Sequence, residues 1–400
     1  TTDDDTYVEI DLSGAIKGYK FGETIPIALA PDNPSENFKI NVDSETGTNK
    51  PYMLAMMEDA LPEVIDFKIS PNEKDAFNVD FTWNCEAQDI WYGYLIISDS
   101  HIADQYAGGI IHLPLHDKST SHGALATPLT DDIGGKTVSS GAGVTSAMPL
   151  YHIEGLAGNC CDFDGSNDKI TVGGSGDDCL SGITDNFSLV AHINHDGGSV
   201  DSDFEYIVSK EGIQLYVDNN KNIKAVLYSD SNSAVTLTSK TLVTGGIPMN
   251  IIVTLDSQIT SGNCKLFING VLEDQSGTLL NSHGNDLVQT GWILNQDLYS
   301  ANGKMFIGRN NGDSAGTFDG KIEEIVIYDS VIYPVDVRSG KFTLTKPLKE
   351  LGSTANAQSK SYSARLFVKD YHNIRGSTNE EVASTSTLYF RKAAFALDNS

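Results

Sequence analysis

Apolar residues in this chain come in short runs that alternate with polar ones and stop at Gly, Asn, Asp or Ser. In FNVDFTW, the residues Phe77, Val79, Phe81 and Trp83 fall two apart and share one face of a strand. The same texture recurs in NFKINV, WYGYLIIS, FSLVAHI, IQLYV, IKAVLY, MNIIVTL, CKLFING, KMFIG, IEEIVIY, YSARLFV and STLYF. Turn signals such as DNNKN, SGN, NGV and NNGD separate them at short spacing. Many short strands with polar turns predict an all-β chain of sandwiches, not a parallel α/β sheet. One short helix is predicted in YMLAMMEDALPEV, ended by Pro62.

Local chemistry fills in two of these strands. In CKLFINGVLED, Asn269-Gly270 predicts a tight hairpin turn with two positive φ angles, with Leu266 and Ile268 on one face and Phe267 on the other. In GTFDGKIEEIVIYD, Glu323 and Glu324 are neighbours, and neighbours on a regular strand point to opposite faces. Period two then groups Glu324 with Ile322, Val326 and Tyr328, and Glu323 with Ile325 and Ile327. Carboxylates that diverge in this way cannot flank one glycosidic bond at the ~5–9 Å that hydrolysis requires.

Residues 110–345 resemble a laminin-G-like domain of the concanavalin-type jelly-roll superfamily. Five stretches carry the resemblance in order: IIHLPLHDKSTSHGALA, GLAGNCCDFDGSNDKITV, NFSLVAHIN, CKLFINGVLEDQ and the run from KMFIG through IEEIVIYDSVIYPVDV. The resemblance implies a two-sheet jelly roll that binds glycans or proteins. Glycosidases of the superfamily carry an E-x-D-x-x-E-like motif on one strand face, which this chain lacks, so no catalytic residue is assigned. Members often hold calcium through hard oxygen ligands. By position, Asp164, Asn167 and Asp168 of the DGSND turn and Glu323 are the candidate ligands; the local alternative is that Asp164 and Asn167 only close the turn. A sugar site would draw on Trp292, Asn295, Tyr299 and Asn310 in Gly/Asn-rich stretches, against core packing for Trp292 and plain turn chemistry for the asparagines.

The flanks read as one domain. FNVDFTWNC and WYGYLIISD are too few strands for a closed sandwich, and strands of the same density return after residue 347. In YSARLFV, the alternation of Tyr362, Ala364, Leu366 and Val368 resembles strand F of immunoglobulin or fibronectin type III domains, with STSTLYFRKA as strand G. The expected organisation is therefore an N-terminal β region at 1–61, an immunoglobulin-like sandwich from 62–107 plus 347–400, and a jelly roll at 108–346 inserted into it. The alternative is a row of separate domains.

Composition narrows the function classes. The chain has 400 residues, 27 basic and 54 acidic, for a formal net charge of -27. Such a surface repels phosphate backbones, so no nucleic-acid partner is expected. No apolar run nears the ~18 residues of a membrane helix. TTDDDTYVEI lacks the basic start and apolar core of a secretory signal, a start that also fits an exported chain after processing. The five cysteines contain no CxxC pair. Cys160 or Cys161 with Cys179 is the nearest disulfide pairing, and free buried thiols are the alternative. His192 and His195 flank a strand end without a third ligand in sequence. Together these features predict a non-catalytic extracellular protein of a cell envelope, filament or virion surface, whose laminin-G-like domain mediates adhesion to a glycan or surface protein. Self-assembly into a homo-oligomer or lattice is expected, with TTDDDTYVEIDLSG as a donor strand for a neighbour's sheet edge. The competing reading is a calcium-dependent lectin module of a secreted polysaccharide-processing system. A glycoside hydrolase is the third.

Overall fold

The computed structural model describes residues 64–72, 78–85, 90–98, 101–102, 105–115, 125–126, 129–141, 144–155, 158–174, 179–180, 183, 186–198, 204–228, 234–256, 263–276, 303–310, 316–344, 361–370, 375–377 and 381–384. The expected N-terminal β region, its donor strand and the helix ending at Pro62 lie outside these residues. Residues 61–400 form one compact unit.

Its strands follow in chain order. The first three are β1 (Val64–Pro71), β2 (Val79–Cys85) and β3 (Ile90–Ser98). Next come β4 (Gly109–Pro114), β5 (Val138–Ser140), β6 (Leu150–Gly155), β7 (Gly158–Asp164), β8 (Ile170–Val172) and β9 (Asn186–His195). Then follow β10 (Phe204–Lys210), β11 (Ile213–Asp218), β12 (Asn222–Tyr228), β13 (Ala234–Leu242), β14 (Pro248–Asp256), β15 (Cys264–Ile268), β16 (Val271–Gln275), β17 (Met305–Ile307) and β18 (Asp319–Tyr328). The last are β19 (Ile332–Val335), β20 (Lys341–Leu344), β21 (Ser361–Asp370), β22 (Arg375–Ser377) and β23 (Glu381–Ser384).

Strands β4 to β18 build a large sandwich. One sheet has the order β13-β12-β11-β10-β17-β8-β5. The other runs β16-β15-β14-β9-β18-β7-β6, with β4 also paired to β18. Alternation explains the burial: Leu189, Ala191 and Ile193 of β9 face Leu215, Val217 and Ala225 of the opposite sheet in one continuous core. The Asn269-Gly270 turn is as the sequence predicts, with φ of 49° and 78°. Leu266 and Ile268 enter the core while Phe267 packs on the outer side.

A smaller sandwich is made from both flanks. Its sheets are β1-β2-β20 and β19-β3-β21-β22, with β23 also on β21. Phe81, Trp83, Leu95, Val335, Leu366 and Val368 fill it. The large sandwich leaves this one after β3 and re-enters it at β19. Here the expected boundary at 346 is corrected: Ile332 pairs with Ile96 and Phe342 with Phe81, so β19 and β20 belong to the small sandwich. Trp83 Nε1 donates to the carbonyl of Val337 at 2.6 Å, which ties the segment after β19 to β2. The side chain of Tyr362 and most of STSTLYFRKA lie outside what the structure describes, so the expected immunoglobulin features fall there too.

The two sandwiches share a layer. Val190, Ile252, Val326 and Tyr328, on the outer side of the eight-stranded sheet, pack against Tyr94, Ile96, Ile332 and Phe367. No disulfide joins the five cysteines, so the Cys160/Cys161–Cys179 pairing is not formed. Burial pushes the Cys264 thiol up to about 12 and Cys161 well above its usual value, which makes both unreactive.

Candidate ligand-binding face

The DGSND turn follows β7. Asp164 Oδ1 accepts the amides of Ser166 at 2.9 Å and Asn167 at 3.2 Å. Asp168 Oδ2 accepts the amide of Asp164 at 3.0 Å. Burial, opposed by that amide and reinforced by Asp164 and Asp162, pushes the Asp168 carboxyl up to about 6. Asp164, Asn167 and Asp168 are thus brought together, with two carboxylates already engaged in closing the turn. Glu323 does not join them: Asp319 pairs with Asp164, and Glu323 lies four residues further along β18, roughly 13 Å away at strand rise. Among the described residues, no three of His, Cys, Asp and Glu converge as a metal site. Asn310 is half-buried just after β17, while Trp292, Asn295 and Tyr299 lie outside the described residues.

The glutamate pair departs from the period-two reading. The register of β18 on β9 shifts between Ile322 and Glu324, one extra residue on β18. Ile322 and Ile325 therefore both face the central core, three residues apart, and Ile327 joins them. A bulge of this kind resets the alternation, so Glu323 and Glu324 both leave on the side away from that core. Glu323 lies within electrostatic reach of Cys160, whose thiol is raised chiefly by burial and next by this carboxylate. Glu324 is taken up by a buried group. Its Oε1 lies 3.0 Å from His112 Nε2 and accepts from the Tyr106 hydroxyl at 3.1 Å, and its Oε2 lies 3.3 Å from His192 Nδ1. The His112 ring stacks on Tyr106 with centroids 4.0 Å apart. Glu324 is 3% exposed, and its contacts hold neighbouring strands together.

One aromatic face among the described residues was not singled out in the sequence. On the outer side of the seven-stranded sheet, Tyr206 of β10 pairs with Tyr216 of β11. Their rings are 5.2 Å apart, and Phe204 meets Tyr216 edge-on at 4.9 Å and Tyr206 at 6.2 Å. Phe204 is 40% exposed, and Tyr216 is half-buried. Tyr228 at the end of β12 lies close enough to raise both tyrosines, after burial, and Tyr216 reaches about 12. The Tyr206 and Tyr216 phenols stay protonated donors at neutral pH. Beside Tyr216 sits Lys224, whose Nζ donates to Thr238 at 2.9 Å and lies 3.7 Å from Asp218. Gly316 packs under the cluster: its φ is +80°, and a Cβ there would stand 2.7 Å from the Tyr206 ring. The signal was present in FEYIVSKEGIQLYV, where a turn at KEG brings Tyr206 opposite Tyr216.

Several solved structures resemble the chain. The botulinum neurotoxin serotype G binding domain matches at 17% identity and a TM-score of 0.38, over 58% of this chain and 49% of that one. Domain 4 of a GH43 extracellular arabinanase from Geobacillus stearothermophilus, in complex with arabinotriose, matches at 16% identity and a TM-score of 0.37, over 58% of this chain and 97% of that one. The binding domain of botulinum neurotoxin DC, in complex with rat synaptotagmin II, matches at 12% and 0.39, over 59% and 51%. The chain thus spans about half the length of the neurotoxin domains it matches. No curated protein sequence matches it. Residues 164–338 match the family model described as the concanavalin A-like lectin/glucanases superfamily, laminin-G type. With the two-sheet core described above, this segment of the chain is similar to the laminin-G-like domains of the concanavalin A-like superfamily.

Proposed function

We propose that the jelly roll is a non-catalytic module that binds carbohydrate on the Phe204–Tyr206–Tyr216 face. One observation carries the reading: a partly exposed phenylalanine and two tyrosines in mutual ring contact, on the open side of a sheet, next to Lys224 and Asp218. Sugar C–H faces stack on such rings, while phenol, ammonium and carboxylate groups meet the hydroxyls. The burial of Glu324 among His112, His192 and Tyr106 supports a binding role over glycoside hydrolysis. We place the chain outside the cell, as a surface or particle component whose jelly roll mediates adhesion and whose copies assemble. The net charge of -27 suits a soluble, salt-tolerant surface. Calcium at the DGSND turn belongs to the same reading, with Asp164 and Asp168 as its carboxylates.

A glycan array probed with the purified chain and with Phe204→Ala and Tyr216→Ala tests the site. Binding to a defined set of glycans that both variants lose supports it. Binding that both variants retain, or none at all, sinks it. Electron microscopy of the purified chain tests assembly separately.

A further inference from the structure

A second concavity lies where the two sandwiches meet. Its volume is about 280 Å³. The floor is the outer face of the β14–β15 ladder, where Thr254 stands beside Lys265 and Ile252 beside Phe267. Asp256 extends the floor. The roof comes from the small sandwich, with Tyr333 of β19 and Phe342 of β20 in ring contact at 5.7 Å. The floor belongs to the inserted sandwich and the roof to the small one, so neither sandwich forms the site by itself.

The lining is unusual for a packed junction. The Tyr333 hydroxyl is sealed from solvent and has no hydrogen-bond partner. Buried hydroxyls are normally satisfied, and an orphan at a cavity wall marks a place where a ligand can supply the missing bond. Burial holds the Lys265 ammonium below its usual value, with Asp256 opposing. Burial keeps the Tyr333 phenol protonated. The polar groups are mixed in kind: Lys265 and Tyr333 donate, Asp256 accepts, and Thr254 does both. Phe267 and Phe342 supply flat apolar walls.

From this lining we infer a binding site for a single neutral sugar ring, wedged between the two sandwiches and separate from the aromatic face proposed above. A sugar hydroxyl both donates and accepts, which matches a wall of mixed sign. Its C–H face matches the two phenylalanines. A carboxylate ligand meets Asp256, and an amine meets Lys265, so neither charge suits the site. The volume sits at the small end of ligand pockets, about 300–1,000 Å³, and holds one ring and not a chain.

Saturation-transfer NMR on the whole chain, with free glucose, galactose, mannose and arabinose as probes, tests this. At least one sugar is expected to bind. Tyr333→Phe, which deletes the orphan hydroxyl, is expected to weaken it about tenfold without lowering the melting temperature. Lys265→Met is expected to do the same. Phe204→Ala is the comparison: binding that it removes belongs to the aromatic face, and binding that Tyr333→Phe and Lys265→Met remove belongs to the junction. The inference is overturned if no sugar binds, if both junction variants bind as the parent does, or if Phe204→Ala alone abolishes binding. In the last case the aromatic face stands and the junction site falls. Binding of acetate or methylamine in place of sugar also overturns it.

Discussion

His195 Nε2 and Glu205 Oε2 lie 2.7 Å apart and join the two sheets of the jelly roll, since His195 ends β9 in one sheet and Glu205 stands in β10 of the other. His195 Nδ1 accepts the amide of Gly197 at 2.7 Å, so the proton sits on Nε2 and is donated to the carboxylate. The His195 ring also meets Phe318 edge-on at 5.7 Å. Both partners are at most 3% exposed. Glu205→Ala leaves the imidazole N–H buried without an acceptor, and should lower the unfolding free energy by about 1–3 kcal/mol. Urea titration measures it; an unchanged midpoint would refute the role.

Asp168 gives a pH dependence of defined sign. Its carboxyl, pushed up to about 6 by burial, lies above the ordinary aspartate value of about 4, so its contribution is fully present below about pH 4 and is lost as the pH rises to about 6. Asp168→Asn keeps an acceptor for the Asp164 amide and removes the buried charge. The variant should therefore gain on the parent across that window and be at least as stable at pH 7. Calcium adds a second arm: if it binds the DGSND turn, added calcium chloride should raise the parent's melting temperature and leave the variant's unchanged.

Gly316 links backbone conformation to the binding face. Its φ of +80° and the 2.7 Å approach to Tyr206 leave no room for a side chain. Gly316→Ala should cost about 1–3 kcal/mol and displace Tyr206, so that glycan binding falls along with stability. A variant of parental stability and affinity would show that the approach is not needed.

Glu324 is the shared acceptor of His112, His192 and Tyr106. Glu324→Ala strips a buried group of its centre, and about 3–5 kcal/mol should be lost, the scale for breaking a buried pair. Glu323→Ala, one residue away and not in this group, should cost much less. Equal losses would contradict the assignment of their roles.

Much of this fold was legible because its signals are local. The Asn269-Gly270 turn, the alternation in FNVDFTW and the apolar run of β9 each need only a few neighbouring residues to be read. The bulge at Glu323 was not legible, because an extra residue in a strand has no fixed composition and period two is assumed until a partner strand shows otherwise. The roles of β19 and β20 were misplaced for a related reason. VIYPVDV follows the closing jelly-roll strand directly, but Ile332 pairs with Ile96, far earlier in the chain. Tyr206 and Tyr216 escaped notice because each is ordinary in its own strand, and only the hairpin register makes them neighbours. Asp164, Asn167 and Asp168 could be grouped from sequence because they fall within five residues of one turn, whereas Glu323 needed a pairing register to be placed.

The pairing of Ile332 with Ile96 makes residues 97–331 one connecting loop between two adjacent strands of the small sandwich. Closing a disordered loop costs entropy that grows with the logarithm of its length. A folded jelly roll removes most of that cost, because its own ends already lie side by side. The large sandwich is therefore expected to fold first and the small one to close on it. During synthesis, β2 and β3 emerge before their later partners β19, β20 and β21 exist. Over that interval Phe81, Trp83 and Leu95 lack the later strands that complete their core, and the nascent chain is expected to be prone to aggregation.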